Sequence, residues 1–283
     1  MSVMFGDRLS AAVSACGAPV CVGLDPVLER LPDASGEPLA AVERFCTGVL
    51  DAVAGVAPVV KIQSACFERY GWAGVRLLES LIVGGRERGL LVINDAKRGD
   101  IAISATHYAK ALLSGDAAAD ALTVNGYLGV DAVEPFVAVA EREGAGLFVL
   151  VRTSNPGAET FQGVGIEGGG DVSSAMARMV RGVGAGLVGA SGLSSVGAVV
   201  GATKPEVAER LRGEMPEQVF LLPGYGAQGG DASGLRRFAT ERGDGVLVTA
   251  SRSVIYAGEG AGWREAVRGA AERMRDEVGA ALG

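Results

Sequence analysis

Eight short, β-favouring runs of near-continuous apolar sequence recur along the whole chain, and they restrict the fold more than any other feature. They lie at residues 19–25, 59–63, 90–97, 121–125, 147–153, 196–203, 219–224 and 246–251. A strand with one wet face alternates polar and apolar residues, whereas an unbroken apolar run suits a strand covered on both faces. Helical spacing fills the intervals. Leu39, Val42, Cys46, Val49, Leu50 and Val53 advance mostly in steps of three and four, which puts them on one face of a helix. Residues 101–113 and 263–282 read as further helices. Another is expected from Asp131, with Glu134 three residues on in capping-box spacing, and another from Pro205-Glu206, where Pro and an acid suit a first turn.

Eight strands alternating with helices predict an α/β fold, a (β/α)8 TIM barrel in one domain over residues 1–283. A short N-terminal helix precedes it, and a long loop follows strand five at about residues 155–172. The Gly-rich piece 163–170 of that loop is a candidate lid. A doubly wound open sheet is the structural alternative.

In a (β/α)8 barrel, chemistry sits at the C-terminal ends of the strands. The runs deliver polar groups there: Asp25, Lys61, Asp95 with Lys97, Asn125, Arg152-Thr153-Ser154, Thr203, then Gly224–Gly230 and Ser251-Arg252-Ser253. Any one of these is explicable as a cap or turn residue. A polar group at every strand end is not. The last two rims suggest a phosphate site made of glycine N–H groups and a cation such as Arg252. Two G-x-G-x-x-G matches, at 163–168 and 224–229, sit too late in the chain for a dinucleotide fold, and 44 glycines make chance matches unsurprising.

The third run ends in Asn94-Asp95-Ala96-Lys97-Arg98-Gly99-Asp100-Ile101. Strand alternation puts Asp95 and Lys97 on one face. Such charges are tolerable near an interior only when paired, so the cluster suits carboxylate or proton chemistry. Arg98 falls on the other face and reads as structural, and the Arg98-Gly99-Asp100 tripeptide carries no adhesion reading in such a fold.

The Asp-x-Lys-x-x-Asp pattern of Asp95, Lys97 and Asp100 resembles the signature of orotidine 5′-phosphate decarboxylases, in its longer bacterial form Asp-Ala-Lys-Arg-Gly-Asp-Ile. Further matches run in order from residue 21 to residue 256: Cys21–Pro26, Val60–Gln63, Thr153–Ala158, Val200–Glu206, Pro223–Gly230 and Ser251–Ser253. The resemblance implies a homodimer that converts orotidine 5′-phosphate to uridine 5′-phosphate and CO2 with neither metal nor organic cofactor. By position it implies a charged network of Lys61, Asp95, Lys97 and Asp100. It implies ribose contacts from Asp25 and Lys61, a base contact from Ser154, and Gln228 bridging base and phosphate. Arg252 would bind the phosphate, and Asn125, Pro156 and Ser251 would be further substrate contacts. Asp100 and Ser104 would reach the neighbouring subunit's site. Five residues of extended chain span about 16 Å, which keeps Asp95 and Asp100 from meeting easily within one site. Asp100 could also cap the following helix.

Other chemistries are narrowed by composition. A net charge of −7 disfavours a nucleic-acid partner. No run reaches membrane-spanning length, and the N-terminal residues lack the pattern of a secretory signal, so a cytoplasmic location is expected. Four cysteines without close pairs read as reduced thiols rather than zinc ligands. The single histidine, His107, rules out multi-histidine sites and leaves a Ser–His–Asp triad only one candidate. Related sugar-phosphate barrels that need Mg2+, a Schiff-base aldolase using Lys61 or Lys97, and a silent nucleotide sensor remain the alternatives.

Overall fold

In the computed structural model, which describes residues 3–201, 205–225 and 232–283, eight parallel strands close on themselves in chain order. They are β1 (Val20–Leu24), β2 (Val59–Gln63), β3 (Leu91–Arg98), β4 (Ala121–Val124), β5 (Gly146–Arg152), β6 (Ser194–Val200), β7 (Gln218–Pro223) and β8 (Val246–Ala250). The open-sheet alternative is thereby excluded.

The helices are α1 (Phe5–Cys16), α2 (Pro38–Val53), α3 (Ala65–Glu68), α4 (Gly71–Glu87), α5 (Ala102–Leu113), α6 (Val130–Glu143), α7 (Ala158–Gln162), α8 (Val172–Gly184), α9 (Pro205–Glu214), α10 (Arg252–Ile255) and α11 (Trp263–Leu282). Helix α2 starts on Pro38 and buries Val42, Cys46, Val49, Leu50 and Val53 as its spacing demands. Each such side chain contributes roughly 1.5–3 kcal/mol when fully buried. Phe45 of α2 packs at 5.2 Å on Trp263 of α11 and stacks at 5.5 Å on Tyr256, which seals the ring of helices where first and last elements meet.

The apolar interior forms two shells, one between strands and helices and one inside the barrel. The inner shell includes Cys21, Val59, Ile93, Ala121, Phe148, Val219 and Leu247. Helix α1 stoppers its lower end. Phe5 meets Phe148 edge to face at 6.0 Å, and a Cβ on Gly146 would lie 2.2 Å from the Phe5 ring. Arg8 pairs with Asp120 at 2.6 Å, and Asp120 accepts the Val92 N–H at 2.9 Å, so the stopper is tied to β3.

Three expectations need correction. Asp131 does not cap α6: the helix enters through Gly129 at φ 104°, a conformation glycine adopts without strain, and Asp131 lies in the first turn. Asp100 does not cap α5 either, since Ile101 occupies that position and Asp100 Oδ1 instead accepts the Ile101 N–H at 2.8 Å. The segment after β5 is not a structureless loop. It contains α7 and an antiparallel bridge between Gly165 and Asp171, whose carboxylate caps α8 and binds Arg210 at 2.6 Å.

Candidate active site

At the C-terminal mouth of the barrel the inward positions turn from apolar to charged. On β2 the inward series is Val59, Lys61, Gln63; on β3 it is Ile93, Asp95; on β4 it is Ala121, Thr123. Asp95 is the centre. Its Oδ2 accepts from Lys61 Nζ at 2.6 Å and Gln63 Nε2 at 3.1 Å, and its Oδ1 from Lys97 Nζ at 2.6 Å and Thr123 Oγ1 at 2.9 Å. Four donors around one buried carboxylate compensate for its loss of water. Burial alone would raise the Asp95 pKa, but the two ammonium groups overcome it and hold the value down at about 2. Lys61 is also buried, which taken alone favours its neutral form; Asp95 and Asp25 reverse the outcome and raise its pKa, so it stays charged.

Lys97 reaches the same side as Asp95 by a route that alternation does not describe. The β3–β4 register passes from Asn94↔Leu122 to Arg98↔Val124, so three residues of β3 face one of β4. Within this bulge Lys97 takes φ 48°, a left-handed conformation costing a non-glycine residue roughly 1–3 kcal/mol. Its backbone N–H bonds Thr123 Oγ1 at 2.9 Å instead of a ladder partner. The Lys97 side chain stays 43% exposed, open to a ligand.

These groups form one wall of a cavity of about 390 Å³, within the range of small-molecule sites. Leu150, Val199, Leu221 and Pro223 form an apolar wall, and Thr153, Ser154 and Asn155 form its lip. The lip is braced from α7: Gln162 accepts the Thr153 N–H and donates to its hydroxyl, each at 2.8 Å, while Glu159 pairs with Arg152. On the β1 side, Asp25 Oδ1 stands 3.8 Å from Lys61 Nζ. That oxygen and Ser251 Oγ are buried with no hydrogen-bond partner among the described residues, and so leave polar capacity at this side of the mouth. β1 and β8 approach closely here, since a Cβ on Gly23 would lie 2.9 Å from that of Ser251.

The fold thus gathers Lys61, Asp95, Lys97, Asp25 and Ser154. Asn125 is not brought to this cavity: it is exposed, and its Oδ1 accepts the Tyr127 N–H at 3.0 Å in a turn. Pro156 is exposed on the lip loop, Ser251 precedes α10, and Arg252 is exposed at its first position. Asp100 and Ser104 lie beyond the strand end; Asp100 forms no ion pair among the described residues, and Ser104 is exposed on α5. Gln228, with its neighbours at 226–231, and Thr203 lie outside the described residues. Arg98 turns away to Glu68 and the Ala96 carbonyl, and His107 is exposed. Gln63 and Thr123 were not singled out from sequence; their inward parity, two residues after Lys61 and Ala121, was the available signal. Among the described residues, no cluster of His, Cys, Asp or Glu could hold a metal ion, and no helix is long and apolar enough to cross a membrane.

Around Asp100 and Ser104 the surface is apolar: Ile101, Ile103, Tyr108, Tyr127 and Leu128 are all exposed. A family model described as orotidine 5′-phosphate decarboxylase / HUMPS matches residues 18–266. The orotidine 5′-phosphate decarboxylase of Rhodopirellula baltica is 41% identical, covering 97% of this chain and 98% of its own. That of Deinococcus radiodurans is 43% identical over 100% of both chains. Among solved structures, the Leishmania donovani OMP decarboxylase superposes with a TM-score of 0.81 at 28% identity, covering 99% of each chain.

Proposed function

We infer the reaction from one premise: the chain belongs to the orotidine 5′-phosphate decarboxylase / HUMPS family. It is an orotidine 5′-phosphate decarboxylase, removing the C6 carboxylate to give uridine 5′-phosphate and CO2 in pyrimidine biosynthesis. The observation that carries the mechanism is the Asp95 carboxylate held at 2.6 Å from both Lys61 and Lys97 at the mouth of the cavity.

Breaking the C6–carboxylate bond leaves its electron pair on C6, in the plane of the ring, with no attached group to delocalise it. The protein must supply the stabilisation by preorganised charge. The Lys97 ammonium does so and then gives its proton to C6, regaining one from solvent. Asp95 keeps that ammonium charged and aimed. A substrate carboxylate about 4 Å from Asp95 would be repelled by about 4 kcal/mol at an effective dielectric of 20, strain that vanishes as CO2 leaves. Asp25 and Lys61 hold the ribose hydroxyls, and Ser154 with Gln228 the base. Arg252 and the rim after β7 and β8 hold the phosphate, whose remote binding energy orients the reacting end. Pro156 and Ser251 complete the substrate contacts.

The working unit in this reading is a homodimer. The exposed apolar patch around Asp100 and Ser104 supports it, because a second copy covering the patch would receive both side chains at its own mouth. Four free thiols agree with a cytoplasmic location. The deciding assay is loss of orotidine 5′-phosphate absorbance by purified protein in EDTA. Undiminished turnover is expected. Loss of activity that Mg2+ restores would move the chain to the metal-dependent sugar-phosphate enzymes instead.

A further inference from the structure

We propose that Thr123 is a positioning residue for this reaction, its single hydroxyl fixing the Lys97 backbone and the Asp95 carboxylate relative to one another. The inference rests on the decarboxylase reading above. Where β3 bulges, Asp95, Ala96 and Lys97 face one residue of β4, and that residue is Thr123. A ladder of backbone bonds cannot serve three residues from one, so the side chain takes over. Thr123 Oγ1 accepts the Lys97 N–H and donates to Asp95 Oδ1, both at 2.9 Å. A hydroxyl has one proton to give and lone pairs to receive, so both bonds form at once. Thr123 is buried at the edge of the charged layer, where a hydroxyl cut off from water needs these partners.

The consequence concerns aim. Lys97 adopts φ 48° in a chain that has only one other described non-glycine residue at positive φ, Ala102. Without the Thr123 bond, the backbone of Lys97 is released from that strained conformation, and its ammonium is no longer held at one distance from the reacting carbon. Small misplacements of a catalytic group cost rate steeply.

The test compares Thr123→Val, which keeps the shape and loses the hydroxyl, with Thr123→Ser, which keeps the hydroxyl. Loss of a hydrogen bond to a charged group predicts a fall in kcat of about 10- to 100-fold for Thr123→Val, with affinity for uridine 5′-phosphate within about twofold. Thr123→Ser should recover most of that loss. Equal losses in both variants, or none in Thr123→Val, would overturn the inference. Should Thr123→Val not fold, Thr123→Ala against Thr123→Ser makes the same comparison.

A readout independent of turnover is the 13C titration of the Asp95 carboxyl. Lys61 from β2 and Lys97 from its own strand face that group, with Asp25 and the Cys21 thiol of β1 beyond Lys61; all are retained in the variants. Removing the Thr123 donor should move the titration to higher pH, and serine should restore it. An unmoved titration in Thr123→Val refutes the role. A wild-type protein without turnover would count against the decarboxylase reading, while this titration still decides the role of Thr123.

Discussion

Replacing Asp95 by asparagine keeps the shape of the site and deletes the charge its two ammonium groups share. At 2.6 Å and an effective dielectric of 20, each pair represents about 6 kcal/mol of attraction. The Lys97 side is 43% exposed, so solvent screening removes much of its share. The Lys61 side is not relieved in this way: Lys61 would stay buried with only Asp25, 3.8 Å away, to balance it. Breaking a buried pair from one side typically costs about 3–5 kcal/mol. At about 2 °C per kcal/mol for a domain of this size, Tm should fall by about 6–10 °C. The pH dependence supplies the sign. In the wild type the Lys61 pKa is raised above its unfolded 10.5, so its contribution is fully present below that value and the curve is flat from pH 6 to 9. In Asp95→Asn burial dominates and the folded pKa drops below 10.5. The unfolded chain then binds more protons, and stability rises with pH. Thermal scans of both proteins from pH 6 to 9 should show the gap narrowing as pH rises. A Tm within 2 °C of wild type, or a gap that widens with pH, would refute the reasoning.

Lys97→Ala should abolish turnover while uridine 5′-phosphate still binds by calorimetry; near-normal turnover would remove Lys97 as the proton donor. Mixing inactive Lys97→Ala and Asp100→Ala chains should restore part of the activity, since a mixed dimer contains one intact site; no recovery despite demonstrated subunit exchange would count against a shared site. Ile103→Asp, on the exposed face of α5, should shift the protein from dimer to monomer in analytical ultracentrifugation and lower activity with it.

Most of the barrel was legible because strands buried on both faces must be apolar throughout, and the runs ending near Lys61, Asp95 and Ser154 fall within a residue or two of the observed strands. β6 begins two residues earlier than its apolar run, because Ser194 and Ser195 are polar yet buried at the barrel floor, where Ser194 Oγ donates to the Gly184 carbonyl. Alternation put Asp95 and Lys97 on one side, and they are, but by a bulge with a left-handed residue that hydrophobic periodicity cannot register. Gln63 and Thr123 escaped notice because an uncharged polar residue near a strand end has many ordinary uses. The order in the segment after β5 escaped for a different reason: Gln162 and Arg210 act from sites 9 and 39 residues distant from their partners Thr153 and Asp171. Only the folded chain brings such pairs together.

The floor beneath the cavity, with Phe5 of α1 seated under Phe148, has a kinetic consequence. Cys21, Val59, Ile93, Ala121, Val219 and Leu247 fill the barrel below the charged layer as one buried apolar cluster, close-packed as protein interiors are. Among the described residues, the cavity opens at the mouth above that floor. Carbon dioxide, though small and apolar, meets no cavity in that floor among the described residues and leaves past the rim of strand ends above it. Any movement that closes this rim over the substrate also traps both products, so its reopening sets a ceiling on turnover that no improvement in the chemistry below can lift.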